Sequence, residues 1–274
     1  MARFVVVPQW QGSPSSRAMA HIDGTEAIAG DLPRSACTFV EVPLEAGEPL
    51  GTGVLRASAL LRTRDAVTAA LDDVAAPAIV IGGDCSVSVP AIGHAAAQDD
   101  GRLAVMWFDA HADLHTPETS PSGAFAGMAL RAVLGEGADG LTLAPGTIAA
   151  RDVVLAGVRM LDPEEDELLA ASEVRSFTPS DLADPDALGE AVAATGASRV
   201  YIHVDLDVLD PADIAGVSSP EPFGVTPAAL VAAITAVRAR VPLAGGAISG
   251  FSPQTPAAAV EDMGAILRIV GALA

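Results

Sequence analysis

Two short acidic segments contain the residues best suited to chemistry. In Asp109-Ala110-His111-Ala112-Asp113, three side chains of metal-ligand type alternate with alanine, and in Asp205-Leu206-Asp207 two carboxylates flank a leucine. Side chains at every second position of an extended chain point to the same side. Charged groups at the end of a buried strand are costly unless they are paired or bound to a cation. A capping or loop role would explain one aspartate but explains three alternating ligands poorly, so the pattern predicts a metal site.

The donor types indicate which metals would suit this site. Carboxylates dominate and His111 adds one imidazole, which is a hard, oxygen-rich set that favours Mn²⁺, Mg²⁺ or a mixed pair over a structural zinc. Because aspartates can bridge, two metals about 3.5–4 Å apart could share one water and lower its pKa towards neutrality. Asp210 precedes Pro211 and is expected to turn the chain rather than bind metal.

A third segment, Gly82-Gly83-Asp84-Cys85-Ser86, contains two glycines that permit a tight turn. On its own, a glycine-rich turn between a strand and a helix would suggest phosphate binding. However, the segment lacks both the lysine of a P-loop and the complete GxGxxG spacing. Taken alone, it is a weak signal.

Short apolar runs alternate with longer amphipathic runs along the chain, and these elements must position the three segments. The alternation predicts an α/β protein with a parallel sheet, helices on both faces and functional residues directly after the strands. The predicted strands are Phe4–Val7, Thr38–Val42, Ala78–Ile81, Ala104–Phe108, Val153–Ala156, Val200–Val204 and Gly246–Ser249. The predicted helices are Val54–Val74, Val87–Ala97, Pro163–Ala171, Asp186–Ala194, Pro227–Ala239 and Pro256–Val270. Cap-and-proline pairs that mark helix starts are Asp162-Pro163, Thr226-Pro227 and Thr255-Pro256.

The composition limits the partners and the compartment. A net charge of −20 argues against nucleic acid and anionic membranes as partners, since phosphate binding needs clustered cations. The two cysteines, Cys37 and Cys85, lie far apart, so a disulfide framework is not expected and a cytoplasmic location is. The sequence contains no repeat and no dividing linker, which predicts one domain over residues 1–274.

Together the three segments resemble the signatures of the arginase/agmatinase/formimidoylglutamase (ureohydrolase) superfamily, whose usual forms are GGDHS, DAHxD and DxDxxDP. The loops Leu114–Met128, Gly157–Glu164 and Ser219–Thr226 are also similar to loops of that family. The resemblance implies a three-layer α/β/α sandwich with an eight-stranded parallel sheet, assembled as a homo-oligomer, a trimer or a hexamer. It also implies that a hydroxide bridging two Mn²⁺ ions hydrolyses a C–N bond of a small guanidine or amidine.

The resemblance further implies roles for individual residues. One metal would be held by Cys85, Asp109, Asp113 and Asp205. The other would be held by Asp109, His111, Asp205 and Asp207. Among this chain's own residues, Asp113 or His115 is the candidate for proton transfer. His115 stands where the family often has a substrate-contacting asparagine, and it could serve as base or substrate ligand. Ser122, Asp162 and Thr226 are candidate substrate contacts, with Asp162 expected first to cap a helix. His203 shares a strand face with Asp205 and is expected to support the ligands rather than to catalyse.

Three positions depart from the family pattern. Cys85 replaces the first histidine ligand, as in similar hydroxyarginine amidinohydrolases, and its softer thiolate would favour Zn²⁺ or Fe²⁺ over Mn²⁺. Ala126 replaces a histidine that shuttles protons, which an alanine cannot do. Gly250 replaces a glutamate that hydrogen-bonds the guanidinium, so a cationic guanidinium loses its best acceptor.

The leading hypothesis is therefore a binuclear metal-dependent hydrolase of linear amidines or modified guanidines, with activity reduced by the changes at positions 126 and 250. One alternative is a catalytically degenerate protein with this fold that binds metal or ligand without turnover. Another is a hydrolase that cleaves a different, amide-type C–N bond.

Overall fold

A parallel β-sheet forms the middle layer of the protein. The computed structural model describes residues 2–74, 77–98 and 102–274. Within them the strands are β1 (Arg3–Val7), β2 (Cys37–Phe39), β3 (Ala78–Gly82), β4 (Leu103–Phe108), β5 (Val153–Ala156), β6 (Arg175–Phe177), β7 (Arg199–Asp205) and β8 (Leu243–Ser249). They form one eight-stranded sheet in the order β2-β1-β3-β8-β7-β4-β5-β6, with every neighbouring pair parallel.

Helices cover both faces of the sheet. They are α1 (Ala20–Gly30), α2 (Ala57–Asp72), α3 (Ser88–Ala97), α4 (Ala129–Val133), α5 (Pro163–Ala171), α6 (Pro185–Ala193), α7 (Pro227–Arg240) and α8 (Ala259–Leu273). None of the helices in the described part of the chain is long and apolar enough to cross a membrane.

Strand β4 shows how the three layers are built. Its six residues are all buried, and their side chains alternate between the two faces of the sheet. Val105 and Trp107 belong to the core shared with α2, α3 and α4. Met106 and Phe108 belong to the core shared with α1, α6, α7 and α8. The predicted three-layer sandwich with an eight-stranded parallel sheet is therefore confirmed.

The strand order brings four strand ends to one edge of the sheet. β3, β8, β7 and β4 are neighbours, and parallel strands end at the same edge. Asp205 at the end of β7 pairs with Ser249 at the end of β8, and the backbone N–H of Gly250 donates to the Gly83 carbonyl at 2.8 Å. The segments that follow β3, β4 and β7 are the three acidic and glycine-rich segments, so the fold places them side by side.

All seven predicted strands are present within a few residues of their predicted ends, and two of the three predicted helix starts are confirmed. Asp162 and Thr226 are the N-caps of α5 and α7, each followed by proline. The third start, at Thr255-Pro256, is wrong: α8 begins at Ala259. Thr255 instead accepts a hydrogen bond from the Ala258 N–H at 3.1 Å and closes the turn before the helix.

Candidate metal centre

A cavity of about 200 Å³ lies at the carboxyl edge of the four central strands. Residues from β3, β4, β7 and β8 or from the turns that follow them form its inner wall. The structure brings to this cavity all six residues that the sequence predicts as metal ligands, namely Cys85, Asp109, His111, Asp113, Asp205 and Asp207.

The first group of donors surrounds Asp205. The Cys85 sulfur lies 2.9 Å from Asp205 Oδ2 and 3.9 Å from Asp109 Oδ2. The Ser249 hydroxyl donates to Asp205 Oδ2 at 3.2 Å, and the Trp107 indole N–H donates to Asp109 Oδ2 at 3.2 Å. These neighbouring donors hold the two carboxylates in place, facing the sulfur.

The second group of donors surrounds His111. Its Nδ1 lies 3.1 Å from Asp207 Oδ2 and 3.4 Å from Asp109 Oδ1. The backbone N–H of Ala110 donates to Asp207 Oδ1 at 3.1 Å and orients that carboxylate. Asp109 therefore takes part in both groups, with Oδ2 towards Cys85 and Oδ1 towards His111, which is the arrangement that a bridging carboxylate requires.

The chain between Asp109 and Asp113 does not continue as an extended strand, contrary to the sequence-based expectation. β4 ends at Phe108, the backbone bends at Ala110 and His111, and Asp113 adopts a left-handed conformation with φ of 54°. The His111 N–H donates to Asp109 Oδ1 at 2.7 Å and stabilises the bend. The ligand spacing therefore depends on a local turn rather than on the pleat of a strand. A non-glycine residue at positive φ is uncommon and often marks a functional site.

Burial controls the electrostatics of the centre. Burial, reinforced by neighbouring carboxylates, raises the pKa of Asp205 to about 7 and that of Asp207 to about 6. Burial and the surrounding carboxylates also raise the pKa of the Cys85 thiol well above its ordinary value. For His111, burial lowers the pKa, but hydrogen bonds to Asp109 and Asp207 outweigh it and raise the pKa to about 12.

This excess of buried acid fits a cation site. Asp109, Asp113, Asp205 and Asp207 are each no more than 6% exposed. Asp113 Oδ2 has no hydrogen-bond partner among the described residues. Hydrogen bonds to Asp109 and Asp207 favour the charged form of His111, which would offset only part of this acidity. Divalent cations would compensate the remaining charge and would lower the pKa of each ligand.

Comparison with known proteins identifies the family. A model of the arginase family matches residues 20–268. The chain belongs to the arginase family. The arginases of Bacillus caldovelox and Entamoeba histolytica are 36% identical over 182 residues and 30% identical over 210 residues, which cover 61% and 73% of this chain and 60% and 70% of those proteins. In three of the curated arginases that match, among them that of B. caldovelox, the aligned segment spans about half to 60% of their length.

Solved structures of other proteins share the fold over nearly the whole of this chain. The native structure of B. caldovelox arginase superimposes with a TM-score of 0.80 at 26% identity and covers 98% of both chains. The proclavaminate amidino hydrolase of Streptomyces clavuligerus superimposes with a TM-score of 0.74 at 21% identity over 99% of this chain and 89% of its own. The resemblance predicted from the three segments is therefore confirmed.

The outer wall of the cavity contains a hydrogen-bonded histidine at a position predicted for proton transfer. His115 Nε2 donates to Asp162 Oδ2 at 3.0 Å, and its Nδ1 lies 3.2 Å from the Thr119 hydroxyl. Its backbone N–H donates to the Gly127 carbonyl at 3.0 Å, which places His115 beside Ala126. His115, Asp162 and Ala126 all line the cavity, so an imidazole is available next to the position where the family has its histidine.

Gly250, the third departure from the family, leaves no room for a larger side chain while Asp205 stays in place. Its φ is 86°, and a Cβ built on it would lie 2.1 Å from Asp205 Oδ1. A left-handed backbone and a clash with a buried carboxylate both exclude larger residues unless Asp205 moves. The absence of a side chain at position 250 therefore leaves room for the Asp205 carboxylate in the centre. Position 250 also contributes no carboxylate to the cavity.

Two predicted substrate contacts lie elsewhere. Ser122 is exposed in its loop, where its hydroxyl accepts the Ala124 N–H at 3.2 Å. Thr226 caps α7 by accepting the Ala229 N–H at 3.2 Å and lines a separate, open depression with Asp213 and Arg268. Asp210 turns the chain as predicted, since its carboxylate accepts backbone N–H groups of Ala212 and Gly224.

Two cavity residues were missed by sequence reasoning. Glu165 is buried and accepts the N–H groups of Leu114 and Asp162 at 3.0 and 3.2 Å, so it joins the second acidic segment to α5. The capping-box spacing from Asp162 could have revealed it. His21, on α1, is 1% exposed, and its Nδ1 donates to the Phe251 carbonyl at 3.2 Å. No sequence signal distinguishes this histidine.

Proposed function

We propose that this protein is a binuclear metal-dependent hydrolase that cleaves a C–N bond of a linear amidine or a modified guanidine. The observation that supports this most directly is the position of Asp109 between two donor groups. One contains Cys85 and Asp205, the other His111 and Asp207, and within each group the ligand atoms lie within 4.8 Å of one another.

Each of the two donor groups would hold one divalent cation. Cys85, Asp109 and Asp205 would hold one divalent cation, and Asp109, His111 and Asp207 the other. When bound, the two cations would polarise a water and lower its pKa towards neutrality, which supplies a nucleophile at physiological pH. Mn²⁺ suits the oxygen-rich second group, and the Cys85 sulfur makes Zn²⁺ or Fe²⁺ suitable for the first group.

Side chains of this protein would carry out the proton transfer that accompanies hydrolysis. Ala126 offers no acid or base, whereas His115 lies beside it with Nε2 held by Asp162. A histidine oriented by a carboxylate is a common general acid or base. Asp113, at the inner wall, has an Oδ2 with no hydrogen-bond partner in the described part of the chain. Burial and the neighbouring Asp109 raise its pKa well above its ordinary value. We infer that His115 transfers the proton and that Asp113 orients the reacting groups.

The wall at Gly250 narrows the substrate class. Charge-assisted hydrogen bonds from a carboxylate are strong, and position 250 provides none. A simple cationic guanidinium therefore loses its main anchor, whereas an amidine or a guanidine modified by an electron-withdrawing substituent needs that anchor less. Arginine and agmatine are accordingly expected to be poor substrates.

A direct test uses the full-length protein after chelation and reloading with Mn²⁺ or Zn²⁺. A panel of linear amidines, modified guanidines, arginine and agmatine is assayed for release of urea, ammonia or the corresponding amide. The proposal predicts metal-dependent turnover of at least one modified compound, with arginine at least about tenfold slower. Asp109→Asn is the matched inactive control. Absence of turnover for every compound with both metals would overturn the proposal.

A second candidate is a metal-binding protein of this family without turnover, which the alanine at position 126 favours. The same panel separates the two. Full metal occupancy with no hydrolysis of any amidine, guanidine or simple amide would support the second candidate.

A further inference from the structure

His203 occupies an unusual position on β7, two residues before Asp205. It is completely buried, and its ring stacks on Trp107 with the centroids 3.6 Å apart and the planes 20° apart. Its Nδ1 lies 2.7 Å from the Ser88 hydroxyl, while Nε2 has no hydrogen-bond partner among the described residues. A buried nitrogen without a partner is rare in folded proteins and calls for a physical explanation.

The surroundings of His203 provide that explanation. A ring nitrogen of His203, the Cys85 sulfur and carboxylate oxygens of Asp109 and Asp205 all lie within 4.8 Å of one another, and all four residues are buried. Because Nδ1 is engaged with Ser88, Nε2 is the nitrogen left to complete this set. Histidines that bind metals commonly hydrogen-bond through their other ring nitrogen, which fixes the tautomer and the ring orientation. Ser88 and Trp107 together would fix His203 in this way.

We propose that His203 is a direct metal ligand and that Cys85, Asp109, His203 and Asp205 form one of the two metal sites. The inference rests on the proposed metal centre and deepens it, because the family resemblance implies Asp113, not His203, as the fourth ligand. In β7 the alternation of side chains places His203 and Asp205 on the same face of the strand. The absence of a histidine at position 85 is thereby offset by a histidine that reaches the same site from β7, with β8 lying between β7 and β3.

The donor set has a consequence for metal choice. One thiolate, one imidazole and two carboxylates are ligands that suit a four-coordinate zinc or ferrous site, whereas Mn²⁺ prefers oxygen donors. The second group, Asp109, His111 and Asp207, has more oxygen than nitrogen and no sulfur. The two sites therefore differ in chemistry, and the site that contains His203 is expected to retain Zn²⁺ more tightly than Mn²⁺.

X-ray absorption at the zinc edge of the wild-type protein, loaded with two Zn²⁺, tests the ligand without any mutation. If His203 is a ligand, His203 binds one zinc ion and His111 binds the other. The average is then one imidazole nitrogen per zinc at about 2.0 Å, together with sulfur at about 2.3 Å. An average of half an imidazole with sulfur still present would leave the metal centre intact and overturn the role of His203. Absence of sulfur would overturn the proposed centre itself.

Titration of the metal-free full-length protein with Co²⁺ provides a second, independent readout. The thiolate-to-cobalt charge-transfer band reports on Cys85, and the intensity of the visible d–d bands reports on the number of ligands. We expect His203→Gln to keep the charge-transfer band, to weaken the d–d bands and to raise the Co²⁺ dissociation constant at least about tenfold. Ser88→Ala keeps the imidazole and should weaken binding less.

His94→Gln is the control, because His94 lies on α3 and lines a separate depression with Leu71 and Gly245 rather than the metal cavity. Its cobalt spectrum and affinity should equal those of the wild type. A His203→Gln variant with an unchanged spectrum and affinity would contradict the proposal. If that variant does not fold, as judged by the circular dichroism of the metal-free protein, the wild-type imidazole count decides.

Discussion

Replacing Gly250 by alanine tests how closely the fold and the metal centre depend on each other. The new Cβ would lie 2.1 Å from Asp205 Oδ1 on a backbone with φ of 86°. An L-residue in the left-handed region costs about 1–2 kcal/mol. The clash adds to this cost, because Asp205 Oδ1 also accepts the Asp207 N–H at 2.9 Å, and losing a hydrogen bond to a charged group costs roughly 1.5–3 kcal/mol.

The expected loss in the free energy of unfolding of Gly250→Ala is therefore about 2.5 kcal/mol, the sum of these two costs at the lower end of their ranges. At about 2–4 °C per kcal/mol, that corresponds to a drop of roughly 5–10 °C in the melting temperature. Because Asp205 must move, metal affinity should fall as well, by about a hundredfold if roughly 2.7 kcal/mol of binding is lost. Calorimetric melting of the metal-free protein and titration with Zn²⁺ measure the two effects separately.

Gly264→Ala is the matched control. Gly264 lies in the interior of α8, and a Cβ there would have no neighbour within 4 Å. Alanine is favoured over glycine in a helix by about 0.5–1 kcal/mol, so this variant should melt at the same or a higher temperature and bind metal normally. A Gly250→Ala protein with wild-type melting temperature and affinity would refute the claim that this glycine is required by Asp205.

Three further predictions concern pH, proton transfer and loop anchoring. Because the folded-state pKa of Asp205 is raised to about 7 from about 3.9 in an unfolded chain, the folded protein holds this proton between those values. The free energy of unfolding of the metal-free protein should therefore fall by roughly 3 kcal/mol more in the wild type than in Asp205→Asn as the pH rises from about 4 to about 7. Urea titrations at several pH values measure it, and equal slopes would contradict it. His115→Gln should lower kcat by about a hundredfold with unchanged metal content, and equal kcat would exclude His115 from proton transfer. Arg159 donates to the carbonyls of Asp207 and Glu221 at 2.8 and 2.9 Å, so Arg159→Ala should lower the melting temperature, and an unchanged one would show that these contacts contribute little.

The positions of the ligand segments could be predicted from the sequence, because each follows a short apolar run that by itself indicates a buried strand. Ala104–Phe108 is a short apolar run that ends in an acidic segment, and only a buried strand with ligands at its carboxyl end explains both features. The N-cap at Asp162 was predictable for a similar reason, since an aspartate followed by proline marks the first turn of a helix.

Other features depend on tertiary contacts that no local pattern reveals. α1 begins without a side-chain cap at Met19 and contains a mid-helix glycine, so its sequence does not resemble a helix. Gly24 is required there because a Cβ would lie 2.2 Å from the Phe251 carbonyl. β6 has three partly exposed residues at the sheet edge, which is too short a run for a periodic pattern. His203 was interpreted as support for the ligands, because the sequence shows that it shares a strand face with Asp205. The sequence does not show that its Nε2 has no partner among residues 2–74, 77–98 and 102–274.

Metal stoichiometry tests the central claim most directly. The full-length protein, saturated with Zn²⁺ or Mn²⁺ and freed of excess metal by gel filtration, is analysed by inductively coupled plasma mass spectrometry beside two variants. Because Asp109 faces both donor groups, the account predicts two metals per chain in the wild type, about one in Asp207→Asn and fewer than one in Asp109→Asn. A wild-type chain that retains one metal or none, or an Asp109→Asn chain that retains two, would contradict it.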